Sequence, residues 1–353
     1  MKRFTKVFKG KGKENRTISD TIVDNQSQAT NKPTSSSPQP NLNLASPSLA
    51  SSGHVPQFPD GIKVWHDCPD ATLDICFVHG LTGDRDTTWT VREGAAAWPP
   101  NLLPTYLPKA RLLTFGYDAY VVRKKTVASG NRLRNHATNL LTDLANERAL
   151  PDASQRKIIF VAHSLGGLVC KEAILQSRNN PEKHLRDIFD SVIGIAFMGT
   201  PHRGAWMADW SKIPAHALGL IKSTNKSILA ILESNNQLLD SIQDMFWSTV
   251  RERRESGKQL EVTCFFEELP FPGVGKVVSE SSATQDGYTA VSIHANHSDM
   301  VKFGSEKETG FKRLLGDLIR WEKQVPPVPS SQQIVRGAVS KYGAIIDSAN
   351  TVG

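Results

Sequence analysis

The sequence predicts an α/β protein, a mostly parallel sheet covered by helices on both faces, and two observations carry that prediction. Short apolar runs rich in β-branched residues alternate with helical patterns through residues 60–325. Most of these runs lack the period-two alternation of a half-exposed strand, as expected where a strand is buried on both faces.

In chain order the expected strands are IKVWH (62–66), DICFVHG (74–80), RLLTFGY (111–117), KIIFVAHS (157–164), SVIGIAFMG (191–199), LEVTCFFEE (260–268) and GKVVSE (275–280). Between the third and fourth, Leu133, Ala137, Leu140, Leu141 and Leu144 fall on one face of a helix over residues 131–149. A second helix, LGGLVCKEAILQS (165–177), leaves the fourth strand without a linker. Residues 207–257 are too long for one crossover and carry two or three amphipathic patterns, which reads as an inserted helical cap. A final amphipathic helix is expected over about 299–323.

The ends differ in kind from the middle. Residues 17–59 are Ser, Asn, Gln, Thr and Pro with scattered apolar residues, too little to offset the entropy of ordering, so a disordered linker is expected behind a basic tail. VPPVPSSQQ (325–333) breaks the pattern again, and 326–353 reads as a C-terminal tail.

Net charge is +7, but residues 1–16 hold seven bases against one acid, leaving 35 bases and 34 acids in the other 337 residues. A near-neutral folded part with no nucleic-acid-binding motif argues against a nucleic-acid partner. Phe4, Val7 and Phe8 interleaved with the bases suit a peripheral contact of residues 1–16 with an anionic membrane, at about 1 kcal/mol per basic residue near the surface. The four cysteines show no C-x-x-C spacing, and the N-terminus has no apolar core of a secretory signal. The expected location is therefore intracellular: cytoplasmic by default, the mitochondrial or endoplasmic reticulum membrane as alternatives, and not secreted. Neither a metal nor another cofactor is called for, and composition leaves the oligomeric state open.

Chemistry concentrates in IIFVAHSLGGLV (158–169). A buried strand enters Ser164 and a helix leaves it, which demands a sharp, strained turn and small residues two places either side; Ala162 and Gly166 supply them. The hydroxyl is thereby held at the carboxyl edge of the sheet, at the positive end of a helix dipole. FVHGLTG (77–83) ends another strand and can turn the backbone N–H of Leu81 toward the same place. With the N–H of Leu165 it makes the two donors that a tetrahedral oxyanion needs. His297 in SIHANHSDM (292–300) stands in the loop before the last helix, where a base would follow in a Ser, acid, His order; His294 is its competitor. For the acid, Glu267 is preferred at the end of 260–268, with Glu268 and Asp286 as alternatives.

HGLTGDRDTTW (79–89), WPPNLLP (98–104), LLTFGY (112–117), VAHSLGGLVCKEA (161–173), MGTPHRG (198–204) and HANHSDM (294–300) occur in this order. Together they resemble the α/β-hydrolase superfamily, in its lipase-like branch of serine-esterase domains of unknown function. That branch is related to the serine active site-containing proteins and to inositol deacylases of glycolipid anchors, and similar domains open fungal multidomain proteins. The resemblance implies an α/β-hydrolase fold over about 60–325 and a serine esterase or lipase acting on acyl esters, with Ser164, Glu267 and His297 as the triad. The apolar face of the cap favours a lipid acyl group. The alternative is a catalytically silent interaction or signalling module of the same fold. The chain departs from the usual G-x-S-x-G elbow in having Ala162. In MGTPHRG, His202 and Arg203 stand either as head-group ligands or as loop packing.

Overall fold

The computed structural model describes residues 59–325 except 82, 93–94, 120–128, 150–152, 154–155, 203–235 and 274. The expected tails, the linker up to residue 58 and the first part of the expected cap therefore lie outside the described residues.

Seven strands form one sheet: β1 Gly61–His66, β2 Leu73–Val78, β3 Ala110–Gly116, β4 Lys157–His163, β5 Val192–Met198, β6 Glu261–Glu267 and β7 Thr289–Ile293. Their order is β1-β3-β2-β4-β5-β6-β7. β1 runs antiparallel to β3, and the remaining pairs are parallel. The strand that leads into Ser164, β4, is central, and β2 to β5 are buried along almost their whole length.

Helices α1 Pro99–Leu102, α2 Ser129–Ala149, α3 Leu165–Arg178, α4 Lys183–Ser191, α5 Asn236–Glu255, α6 Glu280–Ala283 and α7 Thr309–Glu322 complete the described elements. The strands divide their side chains by period two. Cys76, Val78, Leu113, Phe160 and Phe197 meet α2, α3 and α5 on one face. Ile75, Phe77, Leu112, Val161 and Phe265 meet Trp89, Trp98 and α7 on the other. The apolar stripe of α2 predicted from its spacing, Leu133 to Leu144, is buried in the first of these cores. This two-sided parallel sheet, with the elbow serine after its central strand, is an α/β-hydrolase fold.

Four expectations need correction. GKVVSE is not a strand. Val277 and Val278 are buried as apolar plugs, but the Val278 N–H donates to the Glu267 carboxylate (2.6 Å) instead of a sheet ladder. The last strand is instead β7, whose edge position leaves Thr289 and Ala290 exposed and mutes its apolar signal. The last helix begins at Thr309 rather than near residue 299, because residues 296–308 are spent on turns around the Asn296 side chain, which accepts from the N–H groups of Ser298 and Asp299. Of the expected cap, the part after Asn236 is α5, a helix of the covering layer: Leu239, Ile242, Phe246, Trp247 and Val250 are buried in the core that α3 also faces.

At the opposite, amino edge of the sheet, Asp74 is fully buried among three guanidinium groups, 2.5 Å from Arg148, 3.1 Å from Arg156 and 3.8 Å from Arg111. Such a cluster fixes β2, β3 and α2 to one another, since any one partner removed strands a desolvated charge.

Candidate active site

Ser164 joins β4 to α3 at φ 54° and ψ −122°, and among the described residues it is the only non-glycine with positive φ. A side chain held there costs on the order of 1–3 kcal/mol, which the surroundings must offset. They do so through close backbone contacts. The Ser164 N–H donates to the Met198 carbonyl at the end of β5 (2.9 Å). A Cβ on Gly166 would lie 2.4 Å from the His79 carbonyl oxygen and 2.5 Å from that of Val78, and one on Gly167 would run into Thr200. Glycine at 166 lets α3 start against the end of β2, and glycine at 167 lets it pass the chain after β5.

The His79-Gly80 turn closes over the same point. A Cβ on Gly80 would lie 2.8 Å from the Ser164 Cβ, so the chain carrying Leu81 passes directly against the serine. Leu165 is the first residue of α3, and its N–H belongs to the first turn, which has no acceptor within the helix. His79 itself turns into the core. Its ring stacks on Tyr117 (4.3 Å between centroids), its Nε2 accepts from the Tyr117 N–H (3.2 Å), and its Nδ1 donates to the Gly80 carbonyl (2.7 Å). Burial pulls its pKa down to about 4, so it stays neutral and braces the turn.

Across the sheet edge, His297 is 5% exposed, and its Nδ1 lies 3.5 Å from Oε1 of the fully buried Glu267. That Glu267 oxygen also accepts the Val278 N–H. Gly199, one residue past the carbonyl that holds Ser164, packs so tightly on His297 that a Cβ there would lie 2.9 Å from its Cε1. Ser164, His297 and Glu267 are thus gathered at the carboxyl ends of β4, β5 and β6. The competitors are elsewhere: His294 and Glu268 pair with each other in solvent at 3.0 Å, and Asp286 is exposed before β7.

Two buried groups had no signal of their own in the sequence. His163, the residue before Ser164, directs Nε2 at the His297 carbonyl (3.0 Å), and the two rings lie 4.9 Å apart. Lys171, two turns along α3, is fully buried; its amine contacts His202 Nδ1 (2.7 Å) and Gln243 Oε1 and sits 4.6–5.1 Å from the rings of Phe197, Phe246 and Trp247. His202 is therefore packed inside, its Nε2 3.4 Å from the Cys264 thiol, while Arg203 lies outside the described residues. Among the described residues no cluster of His, Cys, Asp or Glu could hold a metal ion, and no helix is long and apolar enough to cross a membrane.

Known proteins show similarity to parts of this chain. Residues 75–245 match the model of a family described as putative serine esterase (DUF676). Protein SERAC1 of Danio rerio is 28% identical over 174 residues, 44% of this chain and 26% of that protein. Its Bos taurus counterpart is 26% identical over 235 residues, 61% of this chain and 34% of that protein. The chain thus spans about a third or less of the length of these curated relatives. Among solved structures, an esterase from Rhodococcus sp. ECU1013, RhEst1, aligns with 75% of this chain and 94% of its own at 13% identity and a TM-score of 0.42. The fold assignment rests on strand order and on the strained serine rather than on that alignment. Residues 75–245 are thus similar to a family described as putative serine esterase, and they lie in a chain whose strand order and Ser164 elbow are those of an α/β-hydrolase fold.

Proposed function

We propose that the protein cleaves acyl esters through an acyl-enzyme on Ser164. His297 takes the Ser164 proton as Oγ adds to the ester carbonyl, and the tetrahedral oxyanion is held by the N–H groups of Leu81 and Leu165. Collapse of the intermediate expels the alcohol, which takes that proton from His297; water then enters by the same route in reverse and releases the acid. Glu267 holds His297 in the tautomer with the proton on Nδ1 and stabilises the imidazolium. The observation that carries this reading is the strained Ser164, since an inert module gains nothing from a costly backbone conformation held by three close glycines.

The substrate we propose is a lipid-like acyl ester. Its support is the amphipathic pattern that the sequence carries before α5, in residues 207–235. Membrane docking by residues 1–16, an intracellular location and independence of metals belong to the same proposal; liposome sedimentation with and without residues 1–16 tests the first. A fluorophosphonate probe tests the chemistry. Wild-type protein is expected to be labelled and to hydrolyse p-nitrophenyl esters, and Ser164→Ala to do neither. Equal labelling of both, or none of folded wild type, would point to the silent module instead.

A further inference from the structure

His163 is a buried imidazole that the chemistry above does not use. It ends β4, where its backbone is paired with Met198 of β5, and it is joined covalently to Ser164. Its ring fills the space between two other parts of the site. On one side a Cβ at Gly80 would lie 3.1 Å from its Nδ1, so the ring abuts the turn that carries Leu81. On the other, its Nε2 lies 3.0 Å from the carbonyl oxygen of His297, and its ring leans on the His297 ring at 39°. A carbonyl only accepts, so the proton of His163 must be on Nε2. Burial, chiefly, and then the neighbouring His297 hold the pKa of His163 well below that of a free histidine, which keeps the ring neutral with this single N–H.

The rest of the base loop is secured by its own neighbours. The Ala295 carbonyl accepts from the Leu269 N–H (3.1 Å), Asn296 organises the following turn, and Met300 is buried. The contact from His163 is different, because it joins the base's own peptide to the residue beside the nucleophile. A shift of His297 relative to Ser164 must stretch it.

We propose that His163 is a positioning residue that sets the distance and angle between His297 and Ser164 through the hydrogen bond from its Nε2 to the His297 carbonyl. This rests on His297 being the base. The role asks for a donor at the reach of Nε2 and not for an imidazole as such. Glutamine supplies that donor; leucine or methionine fills the space without it.

The test compares wild type, H163Q, H163L, H163M and S164A by kcat and KM on p-nitrophenyl butyrate, by the rate of fluorophosphonate labelling, and by thermal unfolding. H163L is expected to lose about 10–100-fold in kcat and in labelling rate at unchanged KM, the order of effect that a misplacement near 1 Å produces. H163Q is expected to return to within a few fold of wild type, and H163M replaces H163L if the latter does not fold. Wild-type kcat in H163L, a change confined to KM, or H163Q as impaired as H163L would each overturn the proposal. Independently of any variant, nitrogen NMR of histidine-labelled wild type must show His163 as the neutral Nε2–H tautomer at pH 7, and the Nδ1–H tautomer would overturn it. Normal His163 variants in a protein whose labelling is lost with S164A sink this inference alone. Wild type that neither labels nor turns over sinks the hydrolase reading, and this one with it.

Discussion

At Ser164 a single backbone angle decides what the residue can do. A serine on an ordinary helix cap would have φ near the helical or extended range and its hydroxyl folded back on the helix N–H groups; at φ 54° the side chain stands away from both strand and helix. The same scale separates the two adjacent carboxylates. Glu267 is enclosed and faces His297, whereas Glu268 faces solvent and His294. E267Q is therefore expected to lower kcat roughly 10⁴-fold, by analogy with the loss of a tautomer-fixing carboxylate, while E268Q stays within a few fold of wild type. Steady-state kinetics of the two variants checks this, and comparable losses would assign the acid elsewhere. In the sequence His297 stood beside His294, and Glu267 beside Glu268 and Asp286; the fold brings the preferred pair to 3.5 Å, whereas the position of Ser164 was legible directly from the strand-to-helix junction. His163 and Lys171 were not, because each acts through contacts with residues dozens of positions away, and neither spacing nor composition records those.

Elements were legible in proportion to how completely they are buried. The runs that became β2 to β5 announce themselves because both faces carry apolar side chains. β7 lies at the edge with its outer residues exposed, so it leaves little of an apolar stripe to read. The run at 275–280 misled for the complementary reason: two buried valines look like a strand whether or not their N–H groups join a ladder. α5 was read as cap because it follows a long insertion, yet Phe246 is fully buried against Phe197 of β5 (5.9 Å between rings). Truncating a true cap helix would spare the fold. F246A is instead expected to destabilise the whole domain by about 3–5 kcal/mol, the range for an emptied aromatic site in a core. Urea unfolding measures this, and a cost below about 1 kcal/mol would return α5 to the cap.

For the whole molecule, buried neutral histidines set how it responds to acid. His79 is pulled to about 4, and His136 and His163 are also lowered, each chiefly by burial. Between about 4 and 6.5 the unfolded chain binds protons that the folded one refuses, so stability rises with pH through that window. It is complete above about pH 6.5 and is lost as pH falls toward 4, by about 3 kcal/mol from His79 alone. Urea midpoints at pH 7.5 and pH 4 are expected to show the loss; a midpoint that holds or rises in acid would contradict it. The +7 charge plays no part in this balance, because most of it belongs to residues 1–16. Lys171 has a consequence of another kind. Its amine, carried on α3, is enclosed by groups from the end of β5 and the chain after it and by groups from α5, segments separated by dozens of residues. Until all three have docked, the amine must either keep its water or give it up for too few partners, so partly assembled forms of this region are penalised. The lysine acts as a proofreader of assembly, and α3, the helix that follows Ser164, settles only once the layer around it is complete.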